Sequence, residues 1–185
     1  MEIGVADQKE LVELAASKQR TALFAFGHKW QSLCERIAQV LYPSVLLDSN
    51  QETMLVDGKR PDIIIDDGSI KRDPAYDGIL HANVFIDAKL SEVLPPKDIQ
   101  KYMDHCDRLE LWVLVQIHPT VPPTYAPLDA EVEIVPAVEL QSRLVSQGHS
   151  DIAAKIDDLL EERRSLEERV LRAFERELKR HLRPG

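Results

Sequence analysis

Apolar residues along this chain recur at two different spacings, and the switches between them mark out the elements. Over residues 7–26, Leu11, Leu14, Ala15 and Leu23 recur at helical intervals behind Asp7, a suitable N-cap. Gly27 is placed to interrupt, and "HKWQSLCERIAQVLY" then reads as an amphipathic helix with Trp30, Leu33, Ile37, Val40 and Leu41 inward, ended by Pro43. "SVLLD" and "ETMLVDG" read as a strand region with a turn at Asp57-Gly58. "RPDIIIDDG" is a short β-branched run closed by the turn signal Asp67-Gly68. Residues 69–82 are polar and read as a loop or hairpin excursion, and "NVFIDAKL" as the next strand. Pro95-Pro96 opens a helix over "KDIQKYMDHCDRL" with Ile99, Tyr102, Met103 and Cys106 on one side. "ELWVLVQI" has the continuous apolarity of a strand buried on both faces. "HPTVPPTYAP" is a loop, "VEIVP" a last strand, and "AVELQSRLVSQG" a short helix stopped by Gly148. Strand runs alternating with helical runs predict an α/β fold with a central mixed sheet flanked by helices.

From Ser150 the texture changes. Ser150 or Asp151 is placed to cap a long helix in which Ile156, Leu159, Leu166, Val170 and Ala173 follow the 3-4 spacing of a coiled-coil seam, interrupted by Arg163. Phe174, Leu178 and Leu182 continue the stripe. The spacing predicts one helix over 151–183 that packs on its own domain or on a second copy of the chain, with nucleic-acid contact through its arginines as the third reading. Arg163 in the seam then needs a carboxylate such as Glu162 or Glu167 of the other copy, or must turn to solvent. The expected division is a domain over 1–149 and a helical appendage over 150–185.

Length and composition fit this organisation. A chain of 185 residues, 44% hydrophobic and 30% charged, has room for one core and reads as soluble and globular. No apolar run is long enough to span a bilayer, so no membrane partner is expected. The acidic opening lacks the basic region of a signal peptide. Cys34 and Cys106 are far apart, so a reduced, cytoplasmic setting is the simpler expectation. The net charge of −9 is unlike that of a general nucleic-acid binder. From Asp151 onward nine acidic residues balance nine basic ones, so residues 1–150 carry the whole excess.

One stretch does not fit a plain core. In "VFIDAKLS", Asp87 and Lys89 stand two residues apart on an apolar strand and therefore point the same way. Charges there are costly unless they are paired or bind an ion. Asp62 opens the run "RPDIII", and adjacent strands lie about 4.8 Å apart, so Asp62 and Asp87 can share one ion if their strands pair in register. Magnesium takes one or two carboxylates with waters and phosphate oxygens. Asp62, Asp87 and the backbone carbonyl of Ala88 supply such oxygens, and Lys89 would stand beside the attacking water or the phosphate. Asp77 in "AYDGIL" is a rival for the first carboxylate, although Asp-Gly is more simply a turn. The plain alternative makes Asp87 and Lys89 a surface ion pair worth at most about 1 kcal/mol. His28, His81, His105 and His118 lack the spacing of a zinc site.

"RPD" at 60–62, "IDAK" at 86–89 and "DIQKY" at 98–102 together resemble the PD-(D/E)XK nuclease superfamily over roughly Trp30 to Ile117. The resemblance implies a restriction-endonuclease-like core and catalytic residues Asp62, Asp87 and Lys89. It also implies an outer metal ligand at Glu35 on the preceding helix, and Gln100 near the site on the following one. Lys101 is read as solvated or as a phosphate contact, and Tyr102 as core. The activity implied is hydrolysis of DNA phosphodiester bonds with Mg2+ or Mn2+. DNA and a second copy of the chain through the C-terminal helix are the expected partners, with a protein partner possible. The alternative is a non-catalytic interaction module that keeps the fold and assembles through its C-terminal helix.

Overall fold

A computed structural model describes residues 26–42, 45–47, 55, 60–75, 78–91, 96–115 and 131–181. The elements expected over residues 7–25, the turn at Asp57-Gly58, the rival Asp77 and the proline loop lie outside the described residues. Those described form two units, one from Trp30 to Ile156 and the other made of residues 26–29 and 157–181. No described helix is long and apolar enough to cross a membrane.

The larger unit is α/β. Helix α1, residues 26–41, begins in the smaller unit and runs through Gly27 without a break. Strands β1 (Val45–Leu47), β2 (Ile63–Ile65), β3 (Lys71–Arg72) and β4 (Ile79–Ser91) follow. Helix α2 (Pro96–Met103), strands β5 (Cys106–Val115) and β6 (Glu131–Pro136) and helices α3 (Ala137–Ser146) and α4 (Ser150–His181) complete the order. The sheet runs β1-β2-β4-β5-β6, with β3 paired to β4 off this path. The β1–β2 and β2–β4 pairs are antiparallel, and β4–β5 and β5–β6 are parallel, so the sheet is mixed as the sequence predicts.

Two boundaries differ from the sequence reading. The helix expected to reach Leu109 ends at Met103, where the His105 amide donates to the Tyr102 carbonyl at 2.9 Å; Cys106 opens β5 instead of lying on a helix face. The excursion over 69–82 is a hairpin whose second arm extends β4 back to Ile79. The turn that leads into it from β2 is set by Asx-type bonds: the Gly68 amide donates to Asp66 and the Ser69 amide to Asp67, each at 3.0 Å. Gly68 sits at φ 87°, where a side chain would be strained.

The strand period of two assigns the sheet two different faces. On one, Ile64, Phe85, Leu109, Leu111 and Val113 form a core with Ile99, Tyr102 and Met103 of α2. The other carries Ile63, Ile86, Glu110 and Trp112 in register, with Tyr42 of the α1 end and Arg143 of α3 beside Glu110. Trp30 is fully buried and its indole donates to the Trp112 carbonyl at 3.0 Å, which ties α1 to β5. Glu110, 1% exposed, accepts from Arg108 at 2.8 Å and from the Trp112 indole at 2.9 Å. A carboxylate buried this far needs such donors, since lone burial costs far more than hydrogen-bonded burial returns.

After α3 the chain turns at Gly148, again at φ 87°, with the His149 amide donating to the Leu144 carbonyl at 2.9 Å. The His149 carbonyl, rather than a Ser150 or Asp151 side chain, then accepts from the Ile152 and Ala153 amides at 3.1 Å and starts α4. In the smaller unit Phe26 is buried, and Lys29 pairs with Glu162. Along α4, Leu166, Val170, Ala173, Phe174 and Leu178 are half-buried, while Leu171 is 58% exposed. Arg163 pairs with Glu167 of its own helix at 2.9 Å; the seam arginine thus has a partner within the chain.

Candidate functional site

The site is built by the β2–β4 pairing. Ile63 stands opposite Ile86. One further antiparallel step sets Asp62 opposite Asp87, on the α2 face. The Ala88 amide donates to Asp62 Oδ2 at 2.8 Å, which anchors that carboxyl across the strands. Tyr102 fixes the approach to it: its hydroxyl donates to the Arg60 carbonyl at 2.8 Å, and its ring meets Phe85 edge-on at 6.4 Å between centroids. The Lys101 ammonium lies 4.4 Å from the centre of the Tyr102 ring.

Asp87 is 3% exposed, and the Lys89 ammonium reaches its Oδ2 at 2.5 Å. Among the described residues Oδ2 makes no hydrogen bond, and the Lys89 ammonium meets it as an ion pair. Asp62 lies within hydrogen-bonding reach of Asp87. Burial, then the charge of Asp87 and the hydrogen bond to it, raise the Asp62 pKa to about 8; the Ala88 amide and Lys89 pull the other way. A buried carboxyl and a half-buried one this close do not both ionise easily, so near neutral pH the pair holds a proton unless a cation replaces it.

The expected site residues are distributed unevenly. Asp62, Asp87, Ala88 and Lys89 come together. Glu35 receives a hydrogen bond from Gln31 at 3.4 Å on α1, and Gln100 is exposed on α2. Among the described residues no three His, Cys, Asp or Glu side chains are grouped to hold a metal ion. The pair alone still fits one: it offers hard oxygens, one of them buried and ion-paired but with no hydrogen bond among the described residues, and magnesium uses one or two protein carboxylates and keeps its waters.

Cys34 was read in the sequence only for its redox setting. It is fully buried, and its thiol pKa is raised well above the usual range by burial first and then by Asp62, Glu35 and Asp87. It therefore stays a thiol near the acid pair. Its helical interval of four from Trp30 was the available signal, since both positions face the core. The bond from Tyr102 to Arg60 had no signal at all, because the two are 42 residues apart.

The chain matches no family model, no curated protein and no solved structure.

Proposed function

We propose that this chain is a metal-dependent nuclease that hydrolyses DNA phosphodiester bonds, with a restriction-endonuclease-like core. The observation that carries the reading is the buried contact of Asp62 with Asp87 beside Lys89, at the register position where β2 meets β4. A surface ion pair would leave the second carboxyl and the burial without a reason. Asp62 at the start of β2, the Asp87–Lys89 stretch on the neighbouring strand β4 and the helix α2 that follows it support this reading.

Asp62 and Asp87 would hold Mg2+ or Mn2+, with the Ala88 carbonyl as a further oxygen. The ion, when bound, supplies Lewis-acid polarisation of the scissile phosphate and acidifies water. The Ala88 amide keeps Asp62 oriented, and Tyr102 keeps the Arg60–Asp62 segment on the sheet. Lys89 offers an ammonium to the phosphate oxygen on which charge grows, a contact worth most in the transition state. A second copy of the chain, docked on the α4 stripe around exposed Leu171, belongs to the same proposal, and light scattering of the full chain decides it.

The test is cleavage of linear, circular, branched and single-stranded DNA, and of RNA, with either metal, alongside metal titration calorimetry. Lys89→Ala is expected to lose cleavage and keep metal binding, and Asp87→Ala to lose both. Cleavage by Lys89→Ala at the wild-type rate would make Lys89 structural and sink the mechanism. A non-catalytic module predicts no metal binding.

A further inference from the structure

The last third of α4 has a charge arrangement that the proposed active site does not use. Between residues 150 and 168 three basic side chains stand among seven acidic ones; between 169 and 181 five basic side chains stand among two acidic ones. The helix dipole favours this sense of gradient, but its influence fades within the first and last turn and does not account for Arg169 and Arg172. Arg169, Arg172, Arg176 and Arg180 recur at spacings of three and four and share one face. All four are exposed, and the first three line an open cleft with Glu175.

The bonds that Arg169, Arg172 and Arg176 make leave their charge available. Arg169 and Arg176 each donate through Nε to the carbonyl four residues earlier, at 3.3 Å. Neither has a carboxylate partner among the described residues. Among the described residues Arg172 pairs with Glu168, at 3.1 Å, and both side chains are well exposed, so solvent screens the pair. The same face continues toward the helix start through Ser165, Glu162 and Asp158, all exposed and none apolar.

We infer that the arginine face of α4, Arg169 through Arg180, docks the phosphate backbone of duplex DNA. A second copy of this chain would also complement the charge, because the acidic half of one α4 could oppose the basic half of another. Protein–protein interfaces, however, need an apolar centre, and this face has none. Protein–DNA interfaces are polar and strongly positive, and guanidinium groups grip phosphate through paired donors. The eleven residue steps from Arg169 to Arg180 span about 16 Å, enough to follow several successive phosphates of one strand. The acidic residues from Asp158 to Glu168 would repel the same backbone, so contact is limited to the last turns of the helix. The partner rests on the nuclease reading; the surface itself does not.

The experiment is fluorescence anisotropy of the full chain with a labelled duplex in EDTA, where no metal-dependent cleavage occurs, across a potassium chloride series. R169Q/R172Q/R176Q changes only exposed positions, and its helix content is checked by circular dichroism. Each phosphate contact contributes about 0.9 to the slope of log affinity against log salt. The triple variant is therefore expected to bind at least about tenfold more weakly at low salt and to lose about 3 of that slope. R169K/R172K/R176K, which keeps the charge, is expected to restore most of the slope. An unchanged slope in the glutamine variant overturns the inference. So does a wild-type dimer that the glutamine variant splits into monomers while duplex binding stays the same, since the face then serves self-association. Cleavage with magnesium is scored separately: the expected slope change with no cleavage keeps the surface and defeats the nuclease, and cleavage with an unchanged slope does the reverse.

Discussion

Replacing Asp62 by Asn turns the acid pair into a measurement. The side chain keeps its shape and an oxygen able to accept from the Ala88 amide, but it no longer shares a proton with Asp87. In the folded protein burial and Asp87 hold the Asp62 pKa at about 8 against an ordinary value of 3.8. Between those limits the folded state binds more protons than the unfolded chain, so stability must fall as pH rises. The contribution is complete below the ordinary value and gone above about 8. One pKa unit corresponds to about 1.4 kcal/mol, so raising the pH from about 5.5 to 9 should cost the wild type about 3 kcal/mol from this pair alone. Asp62→Asn should lose none of it. Urea denaturation in EDTA at both pH values reads the difference: the stability of the variant relative to wild type should rise by about 3 kcal/mol between pH 5.5 and pH 9. Magnesium should oppose that rise at pH 9 by binding the folded wild type and not the variant. If the two proteins lose stability in parallel as pH rises, no proton is shared and the electrostatic account of the site fails.

Three further outcomes follow from contacts around the site. Tyr102→Phe removes the donor to the Arg60 carbonyl and should cost about 1 kcal/mol in urea denaturation. It should also weaken magnesium affinity by calorimetry, which a purely packing role for the ring would leave alone. Trp30→Phe leaves the Trp112 carbonyl without its indole donor in a fully buried place and should cost about 2–4 kcal/mol, read by the same denaturation. Cys34, buried and held as a thiol, should resist iodoacetamide at pH 8 in the native protein and react once urea unfolds it.

How much of this was legible in the sequence depends on how far apart the deciding residues lie. Asp87 and Lys89 sit two residues apart on one strand, so the strand period alone placed them on one face. Their meeting with Asp62 needed only that "RPDIII" and "VFIDAKLS" be neighbours, and the observed pairing of Ile63 with Ile86 makes them so. The elements from β4 to α4 were readable for the same reason: period and punctuation are local. The failures were local rules overridden by long-range contacts. Cys106 has helical spacing from Tyr102 and Met103, yet parallel pairing with Ala82 draws it into β5. Ile79 to Ala82 look like loop beside Pro74 and Gly78, but β3 and β5 give their backbone partners. Arg163 looked like a flaw in a seam between two chains; an acidic residue one turn along its own helix, Glu167, is sufficient. Glu110 shows the limit most plainly. Within "ELWVLVQI" it reads as the polar start of a buried strand, and only Arg108 and the Trp112 indole, two residues to either side on the same face, explain how a carboxylate there is buried. The alternation that placed Asp87 beside Lys89 also places Arg108, Glu110 and Trp112 in one row. One rule therefore produces both buried charge groups of the sheet. They differ in their neighbours: a guanidinium and an indole each meet one oxygen of Glu110, whereas Asp87 has the Lys89 ammonium at Oδ2 and a second carboxyl, Asp62, beside it. Glu110 is thus paired as a group that holds the fold together, and the second acid beside Asp87 is the feature on which the proposed cation site rests.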